Sequence, residues 1–73
     1  MENHNENEVS ITTYDKVMNA WHRCMQSTKE FECYYHEIRD DDKAKELFEG
    51  FAETEGLQAS ALRDLLLTYQ KKA

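Results

Sequence analysis

Proline is absent from the 73 residues and glycine occurs only twice. Few chain breakers therefore interrupt whatever period the apolar residues set. No run approaches the ~18 consecutive apolar residues of a membrane span. The opening MENHNENEVS lacks the basic-then-apolar order of a secretory signal. Both absences point to a cytoplasmic chain away from membranes. Cations are also scarce: nine Lys and Arg against fifteen Asp and Glu give a net charge of −6, and the basic residues do not cluster on one face. That balance argues against nucleic acid, whose phosphates require grouped Lys and Arg. Cys24 and Cys33 are the only cysteines. Nine residues apart, they stand about 13 Å from one another along a helix, too far for a bond within it. They show no C-x-x-C spacing and no second ligand pair for zinc, and read as reduced packing or surface cysteines, with an intermolecular bridge as the alternative. No glycine-rich phosphate loop, nucleophilic triad or paired carboxylate stands out, so the chain is expected to be no enzyme and to carry no catalytic residue, metal or cofactor.

What is present is enough apolar material for one small domain. Residues AVILMFWYC make up 40% of the chain, with eight aromatics. This is too rich for disorder, while a mean hydropathy of −0.91 keeps it soluble. A chain of this length buries only roughly 60% of its unfolded surface. A partner chain is an expected remedy.

The apolar pattern is helical. Residues 1–10 are polar and aperiodic and read as a flexible acidic tail. From Thr12, an expected N-cap with Asp15 three residues on, Tyr14, Val17, Trp21, Cys24, Thr28, Phe31, Tyr35 and Ile38 recur at alternating steps of three and four. This stripe predicts a helix over about 12–39. The run Asp40-Asp41-Asp42 then interrupts it with residues that favour turns and caps. A second stripe follows at Phe48, Ala52, Glu55, Ala59, Leu62, Leu66 and Tyr69, widened by Leu47, Phe51 and Leu65, and predicts a helix over about 42–71. Gly56 either ends one helix and begins a third or is spanned; the stripe keeps phase across it, which favours one helix.

Charge follows the same plan. Residues 1–10 carry −3, residues 11–39 balance, residues 40–57 carry −5 and residues 58–73 carry +2. Acids at the start of the second helix and Lys71 and Lys72 at its end match the helix dipole.

Two long helices joined by a short turn run antiparallel. Folding at Asp40 and Asp41 sets Phe31 near Phe51, Tyr35 near Leu47, Thr28 near Glu55, Trp21 near Leu62 and Val17 near Leu66. Both apolar faces are wider than one seam, because Met18, Met25 and Tyr34 flank the first and Phe51 and Leu65 the second. The expected architecture is an all-α antiparallel hairpin that pairs into a dimeric four-helix bundle. Its core or dimer interface comprises Tyr14, Val17, Met18, Trp21, Met25, Phe31, Tyr34, Tyr35, Phe48, Phe51, Leu62, Leu65, Leu66 and Tyr69.

One carboxylate falls on the seam. Glu55 lies opposite Thr28 and within a turn of Gln58, and a charge there needs pairing, protonation or a metal. The expected arrangement is a polar layer of Thr28, Glu55 and Gln58 that sets helix register; a carboxylate metal site in the bundle is the alternative. The stretch from Phe48 to Ala59, F-E-G-F-A-E-T-E-G-L-Q-A, resembles the second-helix signature of the ferritin-like and rubrerythrin-like families, F-x-x-x-A-x-x-E-x-x-H-A. The resemblance covers about residues 20–66 and implies a bundle of hairpins with iron bound between them. Only Glu55 matches a ligand position: the family histidine falls on Gln58, and its first-helix glutamate falls near His22 to Met25, where no acid occurs.

Glu32 and His36, at i and i+4, have a spacing that could bite one metal ion, but with no third ligand in register they read as an ordinary helix-surface pair. His22 shares its layer with no serine or cysteine nucleophile. The expected function is thus that of a small non-enzymatic regulator or adaptor, self-associating and acting through protein contacts. The alternatives are a ferritin-like iron-binding chain with a degenerate site, and an acidic mimic occupying the basic site of a nucleic-acid-binding protein.

Overall fold

A computed structural model describes residues 9–72; the acidic segment 1–8, most of the expected tail, lies outside it. The chain forms two α-helices, α1 (Ile11–Glu37) and α2 (Asp42–Lys72), and no strand occurs among the described residues. They fold back on one another along a rod 57 Å long and 19 by 13 Å across. Among the described residues, all long-range contacts run between the two helices.

Each helix begins on a short polar side chain. Ser10, extended at φ −69° and ψ 158°, caps α1: its Oγ accepts from the Thr13 amide at 3.1 Å. Ser10 thus takes the capping role expected of Thr12, because Ile11 already has helical geometry and Thr12 stands inside the first turn. The apolar stripe begins equally well from either residue, so only backbone geometry separates the two. At the turn, Ile38 leaves the helix in an extended conformation while its amide still donates to Tyr34 O at 3.0 Å.

Of the three consecutive aspartates, the middle one starts α2. Asp41 Oδ1 accepts from the amides of Lys43 and Ala44, both at 3.1 Å, and its carbonyl accepts from the Lys45 amide at 3.1 Å. This satisfies donors that a helix start otherwise leaves to water. Asp41→Ala is expected to lower stability by about 1 kcal/mol. Asp40→Ala, which removes a neighbouring acid without the cap, serves as the control in parallel urea melts.

No break occurs at Gly50 or Gly56, and α2 continues through both. Its buried residues are Ala52, Ala59 and Leu66, seven apart, which marks one position of a heptad. With these at position a, Phe48, Glu55, Leu62 and Tyr69 occupy d. On α1, Tyr14, Trp21, Thr28 and Tyr35 occupy a, and Val17, Cys24, Phe31 and Ile38 occupy d. The antiparallel match is visible in the ring pairs Tyr14–Tyr69, with centroids 6.0 Å apart, and Phe31–Phe51, at 5.6 Å.

Small residues at a on α2 explain where the core sits. An alanine methyl disappears beneath a neighbouring helix, whereas the larger rings of Tyr14, Trp21 and Tyr35 extend past it and stay half-buried. No residue of α1 is buried outright. Leu47, expected beside Tyr35, instead stands 57% exposed on the outer side of α2. Its heptad position lies a full step beyond the seam, where α1 does not reach it.

Candidate functional site

Midway along the hairpin the seam turns polar. Cys24 and Thr28 come from α1, Glu55 and Gln58 from α2. Thr28 does not close a layer across the helices: its Oγ1 donates to Cys24 O on its own helix at 2.7 Å. A threonine inside a helix has the carbonyl four residues back within reach, and that local bond wins over a distant carboxylate. The cross-helix contact is made by Cys24, whose Sγ donates to Gln58 Oε1 at 3.7 Å. Cys24 is the member of this layer that sequence reasoning passed over. The available signal was its place on the stripe, four residues before Thr28 and level with Gln58 in the folded-back chain.

The thiol of Cys24 is held neutral. Burial raises its pKa above the ordinary thiol value, and the Glu55 carboxylate raises it further by its charge and as a hydrogen-bond acceptor. The one S–H proton serves one acceptor at a time; the contact with hydrogen-bond geometry is that to Gln58, and Glu55 acts mainly through its negative charge. A thiol shifted in this direction is a weaker nucleophile at neutral pH. Because the folded-state value is raised, its contribution to stability is present below the ordinary thiol pKa and lost as pH climbs through the raised one. At pH 8 iodoacetamide is expected to modify exposed Cys33 severalfold faster than Cys24. Glu55→Gln is expected to narrow that gap, as followed by peptide mass spectrometry.

Glu55 itself is half-buried on the seam. Among the described residues, no three His, Cys, Asp or Glu side chains stand close enough together to hold one metal ion. Glu32 and His36 are both exposed on α1, as is His22, whose ring lies 5.2 Å from that of Trp21. No helix among the described residues is long and apolar enough to cross a membrane.

On either side of the seam the hairpin has two different flanks. One, beside the a positions, carries an open groove of about 310 Å³ over Trp21, Met25, Thr28, Gly56, Ala59 and Arg63. Gly56 forms its floor, and a methyl added there would meet only Thr28 Cγ2, at 4.0 Å. The other flank, beside the d positions, carries an aromatic cluster near the turn. Phe31 stacks on Phe48 with centroids 5.7 Å apart, and Tyr34 meets Phe48 edge-on at 5.3 Å. Phe51 completes the cluster, 6.0 Å from Phe48. The outer pair stays open to solvent, Tyr34 by 43% and Phe51 by 45%.

The residues expected at the core or dimer interface thus fall into three groups. Leu66 is buried; Tyr14, Val17, Met18, Trp21, Phe31, Tyr35, Phe48, Leu62 and Tyr69 are half-buried; Met25, Tyr34, Phe51 and Leu65 are exposed. What the fold and these surfaces define is an all-α antiparallel hairpin with a polar seam layer and an uncovered aromatic flank. No family model matches the chain, and no curated protein or solved structure is significantly similar to it.

Proposed function

We propose that this chain is a non-enzymatic helical hairpin that self-associates and acts through protein–protein contacts, as a small regulator or adaptor. The observation that carries this reading is the aromatic flank. A hairpin that, among the described residues, buries only three hydrophobic side chains outright leaves Tyr34, Leu47, Phe51 and Leu65 between 39% and 57% exposed. Exposed apolar groups grouped on one side of a molecule mark surfaces that meet another protein. Two helices enclose little, so further helices are the natural cover. Sedimentation velocity across about 5–500 µM tests it. A species of twice 8.7 kDa is the expected result; an 8.7 kDa monomer throughout the range would falsify self-association.

A second reading, metal binding at Glu55, is favoured by the half-buried position of that carboxylate on the seam. Anaerobic ferrous titration decides it. Saturable binding that disappears in Glu55→Ala supports an iron site, and no binding removes it.

A further inference from the structure

We draw no further inference here: the strongest candidate, the aromatic surface patch of Phe31, Tyr34, Phe48 and Phe51 near the turn, carries nothing because no feature of the structure shows what covers it.

Discussion

Leu66→Ala is expected to cost about 2–4 kcal/mol of folding free energy, most of what so small a chain has to spare. Leu66 is only 5% exposed and is the one large side chain among the three buried residues, the other two being alanines. Removing its isobutyl group forfeits the burial and leaves a void between helices that have no second layer to collapse inward. Compensation is therefore limited. Urea denaturation followed by circular dichroism at 222 nm reads the effect, and Leu67→Ala is the control: Leu67 is 45% exposed, and its loss is expected to stay within about 0.5 kcal/mol. Equal losses at the two positions would mean that the seam does not hold the hairpin together. Because the proposed self-association would stabilise the folded chain by mass action, both variants must be compared at one protein concentration.

Phe51→Lys is expected to weaken the proposed self-association at least about a hundredfold while leaving the chain helical. Full burial of a phenylalanine contributes about 1.5–3 kcal/mol, and a two-fold interface contains the residue twice. About 2.7 kcal/mol in all already corresponds to a hundredfold change in Kd, before the cost of placing an ammonium group in an apolar contact. Phe51 is 45% exposed in the hairpin, so the fold keeps the contacts between Phe31 and Phe48 and loses little. Sedimentation equilibrium gives the Kd and far-UV dichroism the helicity. A variant that dimerises as tightly as wild type would remove the aromatic flank from the interface, whichever orientation the copies adopt.

The hairpin itself was legible because it is written twice. Two stripes at steps of three and four, separated by Asp40, Asp41 and Asp42, leave little choice but two helices and a turn, and no proline contradicts them. Continuity through Gly56 was legible for the same reason: the phase of the stripe did not shift, and a glycine in a long helix costs only about 1 kcal/mol against many packed turns. The caps were less so. Ser10, Thr12 and Asp15 offer several plausible starts, and the backbone at Ser10 decides among them. The wiring of the seam was not legible at all. Thr28 had two acceptors in principle, the carbonyl behind it and a carboxylate across the seam, and geometry gave it the carbonyl. That left Cys24, read from its spacing as an ordinary reduced cysteine, as the thiol that reaches Gln58 beside Glu55.

By itself, then, the order of residues determined the secondary structure, the antiparallel pairing and the layer at which polarity enters the seam, because periodicity and turn chemistry are local properties and survive reading one residue at a time. Only the tertiary structure decided which apolar side chains are covered. Stripe position alone does not distinguish Ala59 from Trp21, yet one vanishes under the facing helix and the other projects past it. Nor does it reveal that the basic residues of two distant segments, Lys16 and Arg23 on α1 and Arg63 and Lys71 on α2, come to share one half of the rod. Burial and charge polarity are set by what lies across the seam, and that neighbour is chosen by the fold.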